Sequence, residues 1–554
     1  MKKISEFRSL WIFILLFAIL PAGADQNLAW DAKAPAHRVV YSEADKAAQR
    51  QAGEAATKEM YAALDVGKDH YTFKPGVYRF TSHKSFDFWK KKNFSVHAAG
   101  CNFIMENMNC GLFLIQACSN MSIIGPLTID SDPLLFSQAK IVSINETAKT
   151  VDFEIMPGYP APPPKERIMV FDAEGIWQSP SPDGHWPFLA YSDFKWLDET
   201  SRKGRISVDL GPVKPIESLM KVGNYVTLGG GHGIGTLREV DGMTFQDVTV
   251  HTGCHGLIAW GGGSGEWNYT RVKAIPAPGT SRLIGGSGPQ HRFGGGSKVV
   301  FDSCEFVGSS DDNLNVGGGS HGMLYKQESP RSILVMIGTY KVGDEVRIFE
   351  KNTYTEKVRA KIQAIEPLED ETLKEDARTV RRALLDRRDP GPFDLYRLTL
   401  ESDVVSEPGA VVENLSARGE SFVMRNCKWT NSTVRVMVQG FKKGLIEGNT
   451  FTRIGQGLAV TMDAWWWEGG SWDECIIRNN TFTQTPYVTY WDSAAIHYGP
   501  GIPLDVVGSV FGSVKVSGNK ILVGAGDTIR INHTTKQILQ KNTILRSGNG
   551  AENK

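Results

Sequence analysis

The chain lacks an excess of charge of either sign: 61 acidic residues balance 61 basic ones over 554 positions. That balance removes the electrostatic footprint of a nucleic-acid binder or of a protein drawn to an anionic membrane, and makes a neutral or weakly charged ligand the default. Cysteine is scarce, with Cys101, Cys110, Cys118, Cys254, Cys304, Cys427 and Cys475 as the whole complement. So few cannot staple a chain of this length, an odd number leaves at least one thiol unpaired, and no CxxC or Cys/His spacing offers a zinc site. Cys304, Cys427 and Cys475 sit in apolar β-type runs and read as small buried hydrophobes. Beyond the first positions, no apolar run approaches the roughly 20 residues of a membrane-spanning helix. Glycine is plentiful at 58 residues but has no Gly-X-Y period, which excludes collagen and points to many tight turns.

What is present begins with an export signal. Lys2 and Lys3 precede the apolar stretch Leu10 to Leu20, and Ala22-Gly-Ala24 supplies small residues for cleavage. The expectation is a signal peptide over 1–24, a mature chain from near Asp25, no lipid anchor, and a soluble periplasmic or secreted protein. A homodimer is left open.

Self-similarity then gives the architecture. Thr244 to Val250, Tyr269 to Ile275, Val300 to Phe306, Val423 to Trp429, Leu445 to Phe451, Ile476 to Phe482, Val514 to Ile521 and Ile538 to Ile544 share one pattern: β-formers, a polar pair or Asn, then β-formers again. Aligning Val248, Val272, Cys304, Cys427, Asn449, Asn480, Asn519 and Asn542 gives spacings of 24, 32, 123, 22, 31, 39 and 23. A base period of 22 to 24 with insertions is the mark of a coiled solenoid. Alternation of polar and apolar residues within each run argues strands, so the expected fold is all-β, a right-handed parallel β-helix whose Asn ladders satisfy the bends. His70 to Phe80 reads as the entry strand, and the Ala-rich Glu43 to Leu64 as a helix capping the open end.

Two stretches break the period, 136–229 with its Pro-rich turns and 324–410 with the charged run Glu366 to Asp389, itself expected to be a solvated helix or loop. They read as β-barrel-like insertions, with Val222 to Val226 and Val342 to Val346 as similar strand entries. The resulting division is a cap and first coils at 25–135, an insertion at 136–229, central coils at 230–323, a second insertion at 324–410 and C-terminal coils at 411–554.

The candidate chemistry centres on Gly308-Ser-Ser-Asp311-Asp312-Asn313-Leu314-Asn315, two adjacent carboxylates at the end of a strand-like run. Neighbouring acids beside a core push one carboxyl pKa upward, which suits general acid/base work on a glycosidic bond; the plainer reading is a turn in which Asp caps backbone N–H groups. A second acidic group follows at Asp463-Ala-Trp465-Trp466-Trp467-Glu468, where three consecutive tryptophans cannot all face inward and one can stack on a sugar. His291, Arg292, Arg435 and His497 are the basic groups near the same coils. Arg435 is suited to bidentate binding of a hydroxyl, carboxylate or sulfate, and equally to an ion pair. The glycine clusters 229–235, 261–265 and 294–296 lack the strand-to-helix setting of a phosphate loop and read as solenoid turns.

In this order, Thr128 to Gln138, Pro278-Gly-Thr280, Cys304 to Val316, Asp463 to Glu468 and Ile477 to Phe482 resemble the glycoside hydrolase family 110 α-1,3-galactosidases. The resemblance implies an exported β-helix enzyme that releases terminal α-galactose by inversion, on an oligo- or polysaccharide substrate, with neither metal nor organic cofactor. It puts the paired aspartates on Asp311 and Asp312 and the Trp-aromatic-Glu motif on Trp466, Trp467 and Glu468. Three positions depart from the family pattern: Gly288 in place of an acid, Arg292 in place of an aromatic beside the matching His291, and Gly317 in place of a His.

The expected site is therefore Asp311, Asp312, Asp463 and Glu468 as acids and bases, with Trp466, Trp467, Arg435, His291, Arg292 and Asn315 contacting substrate. Arg292 suggests an anionic sugar such as sulfated galactose. A polysaccharide lyase or epimerase, and a glycan-binding protein without catalysis, are the alternatives.

Overall fold

The computed structural model describes residues 30–546, apart from 82–84, 107–110, 164, 179–188, 210–215, 217–219, 230–232, 254–256, 260–261, 351–352, 386–392, 464–467, 489–492 and 502–507. The signal-peptide segment, Cys110, Cys254 and Trp465 to Trp467 lie outside the described residues.

The repeated runs are coils of a parallel β-helix. Twenty strands form two parallel ladders that share the long strands Ser119–Ser131 and Asp241–Val250, and ten more form a third. The aligned positions explain the repeat. From Asp241–Val250 onward, one residue at each corner between the first two ladders takes a positive φ: Asp247, Arg271, Ser303, Asn426, Gly448, Asn479, Gly518 and Lys541. Left-handed backbone favours Gly and Asn, which is why the motif drifts toward Gly-Asn and Asn-Asn. The residue just after the corner points inward, and from Asn449 onward its amide stacks on the next coil. Asn449 Nδ2 donates to Asn480 Oδ1 at 2.9 Å, Asn480 to Asn519 at 3.0 Å and Asn519 to Asn542 at 2.9 Å. Upstream the same position holds Cys304 and Cys427, buried free thiols stacked one coil apart.

Inward aromatics stack with the coils, as in Phe245, Tyr269 and Phe301, whose rings lie within 9° of parallel. The helix Glu43–Asp65, started by a Ser42/Asp45 capping box, buries Gly53, Ala56, Met60 and Ala63 against the first coils. The entry run is two strands, His70–Thr72 and Gly76–Phe80, because the chain turns there from the first ladder to the second, His70 pairing with Ser95 and Gly76 with Cys101. Among the described residues no helix is long and apolar enough to cross a membrane.

Both insertions close into six-stranded rings. In the first, Ser137–Asn145, Thr150–Ile155, Glu166–Phe171, Leu189–Asp198, Lys203–Asp209 and Tyr225–Leu228 pair in the order first, second, fifth, fourth, third, sixth, and back to the first. The second, a closed barrel, runs through Ser320–Ser329, Ser332–Met336, Glu345–Phe349, Glu356–Pro367, Leu395–Leu400 and Val411–Asn414 in the same order. Its pairing extends past 324–410 at both ends. The similar entries Val222 to Val226 and Val342 to Val346 lead into the sixth strand of one ring and the third of the other, positions that are neighbours in this topology. The charged run forms the helix Glu371–Leu385, which is not wholly solvated: Ala377 is buried on the second barrel in a cluster with Met323, Leu334, Met336 and Leu395.

Candidate active site

The outward face of the third ladder is the floor between the two barrels. Side chains alternate along its strands, so in Gln290–Phe293 the rings of His291 and Phe293 turn inward while Gln290 and Arg292 face the cleft. His291 packs 4.4 Å from Trp267 and 4.0 Å from Phe293, ring centre to ring centre, and is 1% exposed. The expected substrate contact at His291 is thus corrected: strand parity puts it in the core. The parallel register sets Asn315 beside Gln290 and Met437, and Arg292 beside Gly317.

Asp312 lies two residues before the strand Leu314–Gly318, next to the Asp311 that meets the first barrel, and is buried. Asp463 and Glu468 lie toward the second barrel and face one another across an isolated antiparallel bridge, Asp463 N donating to Glu468 O at 3.0 Å and Glu468 N to Asp463 O at 2.9 Å. Arg435 connects the two sides, with Nε 3.4 Å from Asp312 Oδ1 and Nη2 3.5 Å from Asp463 Oδ2. Asn315 connects them again, its Nδ2 donating to Asp312 Oδ2 at 3.1 Å and to Glu468 Oε2 at 3.4 Å. Arg292 completes the cluster on Glu468 Oε1 at 2.6 Å and Asn315 Oδ1 at 2.7 Å. Asp311 turns away from this group toward the first barrel and pairs with Arg167.

Burial pushes the Asp312 carboxyl up to about 8; Arg435 and Arg167 pull it down while Asp311 and Glu468 push it further up. A carboxyl group of that kind is protonated near neutrality and can give a proton away. Burial and the charges of Arg530 and Arg435 hold His497 down at about 3, so the imidazole on this face is neutral.

The three departures have structural counterparts. A Cβ at Gly288 would come within 2.9 Å of Asn313 O and against Trp429 and Phe306, so no acid fits there on this backbone. A Cβ at Gly317 would sit 3.2 Å from Arg292, so the missing side chain is the room Arg292 occupies. Three residues were not legible as site residues. Arg167 comes from the first barrel. His321, on the second barrel, has Nδ1 2.8 Å from Gly469 O. Glu413 accepts from Ser471 N at 2.6 Å and pairs with Arg347 at 2.5 Å, tying the segment after Glu468 to the second barrel. The acids Asp312, Asp463 and Glu468, with Arg435, Arg292 and Asn315, are brought together; Trp466 and Trp467 are outside the described residues.

Alpha-1,3-galactosidase A of Bacteroides fragilis is 25% identical over 348 residues, which is 60% of this chain and 54% of that protein. The chain resembles α-1,3-galactosidases. The protein of that name from a second strain of the species is also 25% identical, over 323 residues, and one from Akkermansia muciniphila is 21% identical over 291 residues. The match spans about half the length of these α-1,3-galactosidases, at 54%, 50% and 44% of each. No family model matches the sequence. Among solved structures, the family 28 exopolygalacturonase of Yersinia enterocolitica overlays with a TM-score of 0.26 at 9% identity, covering 88% of this chain and 75% of that one. The A-module of an Azotobacter vinelandii mannuronan C-5 epimerase overlays at 0.22 and 10%, covering 87% and 94%. Neither score carries an argument about the chemistry.

Proposed function

We propose that this protein is an exported glycoside hydrolase that removes terminal α-linked galactose from glycans, with Asp312 as general acid and Glu468 as general base. The observation that carries the reading is the buried Asp312 carboxyl, raised to about 8, linked through the Asn315 amide to a second, part-exposed carboxylate. An acid so raised protonates the leaving glycosidic oxygen, and the opposing carboxylate takes a proton from water. Both acids have an arginine partner, but Glu468 suits that second role better than Asp463: its side chain is 27% exposed and open to water, whereas that of Asp463 is 4% exposed. The Asp312 and Glu468 oxygens share one amide nitrogen at 3.1 and 3.4 Å, so they lie less than about 6.5 Å apart, short of the spacing that admits a water for inversion; the inverting outcome rests on the family resemblance and requires substrate to part the two carboxyl groups. The α-1,3-galactosidase names of the relatives support galactose as the sugar, and Lys2 to Ala24 supports export.

Beyond Arg292 and Gly469 the cleft opens into a cavity of about 990 Å³ against the second barrel, lined by Lys341, Asp344, Arg381, Phe393 and Asp394. Mixed charge with an aromatic edge suits a neutral polyhydroxylated ligand. The lyase reading asks for a cation available to a uronate carboxylate, but Arg435 and Arg292 are both engaged by the protein's own carboxylates.

Incubation of the purified protein with aryl α-galactosides and α-galactosyl oligosaccharides is the test. Free β-galactose as the first-formed product is expected; first-formed α-galactose would overturn inversion, and ultraviolet-absorbing unsaturated products would overturn hydrolysis.

A further inference from the structure

An asparagine side chain accepts at one end and donates two hydrogens at the other, so its flip decides what it holds. Asn315 has its acceptor end taken by Arg292, Nη1 donating to Oδ1 at 2.7 Å. The NH₂ end is thereby turned to the acids, at 3.1 Å from Asp312 Oδ2 and 3.4 Å from Glu468 Oε2. The opposite flip would set a carbonyl oxygen against two carboxyl groups and an NH₂ against a guanidinium. The same guanidinium reaches Glu468 Oε1 through Nη2 at 2.6 Å, so one planar cation fixes both the amide and the carboxylate it faces. Room for it is made by its register neighbour Gly317, where a Cβ would stand 3.2 Å from both Cδ and Nη1 of Arg292.

We propose that Arg292 and Gly317 together form the positioning device of this site: Arg292, seated over Gly317, fixes the flip of Asn315 and thereby the separation of Asp312 and Glu468. Arg292 is then a positioning residue and not a contact for an anionic sugar. This rests on the roles given above to Asp312 and Glu468.

The device has two handles that differ in chemistry. Arg292→Ala removes the guanidinium, and Gly317→Val leaves every charge in place but displaces it. Both are expected to lower kcat by about 100-fold or more with little change in KM, as for a displacement of about 1 Å at reacting groups. Arg292→Lys is expected not to rescue, because a single ammonium does not span Asn315 and Glu468 in one plane. A substrate contact behaves otherwise: kcat would stay native, and only KM for sulfated against plain galactosides would change, which overturns the proposal. A substrate-free arm separates it from the hydrolase reading. In a double-mutant cycle of Arg292→Ala and Glu468→Gln followed by Tm, strong coupling is expected, and independent effects would overturn the device even if galactosides are hydrolysed. If the native protein releases no galactose yet the coupling is found, the hydrolase reading fails while the Arg292–Glu468 link stands, with no acid and base left for it to position.

Discussion

Asp312 combines burial with a like-charged neighbour, and both consequences can be measured on one side chain. Replacing the proposed proton donor by Asp312→Asn is expected to lower kcat on an α-galactoside by about 10²- to 10⁴-fold, the usual contribution of a positioned acid. The same variant has a stability signature. The folded-state pKa, about 8, lies above the unfolded value near 4, so the folded protein holds the proton more tightly and Asp312 favours folding only while protonated. Native stability therefore falls between about pH 4 and pH 8 and levels off above. Asparagine carries no such titration, so the Tm of Asp312→Asn should gain on the native protein as pH rises to about 8, then run parallel to it. A difference in Tm that does not vary with pH would refute the raised pKa. His291 shows how parity decides a residue's role: its neighbour Arg292 faces the cleft, and the single position between them is the difference between core and site.

At the scale of elements, the Asn ladder and the barrel contacts make different demands. Asn480 serves four groups: its Oδ1 accepts from Asn449 N and Nδ2, and its Nδ2 donates to Ile446 O and Asn519 Oδ1. Asn480→Ala leaves buried partners unmatched and is expected to cost about 2–4 kcal/mol in denaturant unfolding. The second barrel is held by Glu413, whose carboxyl is pulled down to about 2 by Arg347, Arg418 and the Ser471 N–H against the opposing effect of burial. A depressed folded pKa gives stability that is present above the unfolded value near 4.3 and lost as pH falls toward 2. Glu413→Ala should remove that acid dependence and, by stranding Arg347, destabilise by about 3–5 kcal/mol, with activity falling as the Glu468 segment loosens. On the first barrel, Arg167→Gln unties Asp311 and withdraws a cation that lowers the Asp312 pKa; the alkaline limb of activity is expected to move to higher pH.

The ladder was legible because each corner needs a left-handed residue and then an inward amide, a demand that Gly448-Asn449 and Asn479-Asn480 print directly in the sequence. The acids Asp312, Asp463 and Glu468 were legible as carboxylates beside strand ends. Arg167, His321 and Glu413 were not, because they reach the site through barrel closure, and no local spacing encodes which outward side chain of a barrel meets a coil.

Across the whole molecule, the candidate acids sit on the coil and the walls come from the insertions. The coil closes over the second barrel without interruption: Lys298–Asp302 pairs in register with Gly419–Arg425, although the barrel's strands lie between them in the chain. Replacing 320–414 by a short flexible linker is therefore expected to leave a β-rich, cooperatively folding protein of lower Tm, read by circular dichroism, that has lost turnover along with the supports of Glu468. Loss of all cooperative folding would show instead that the barrel is part of the folding unit. Each barrel also begins and ends on paired residues, Ser137 beside Leu228 in the first and Ser320 beside Asn414 in the second. Both are cassettes that enter and leave the coil at one doorway. Evolution can exchange such a cassette whole, recasting what the cleft admits while the clustered carboxylates of the coil keep their addresses.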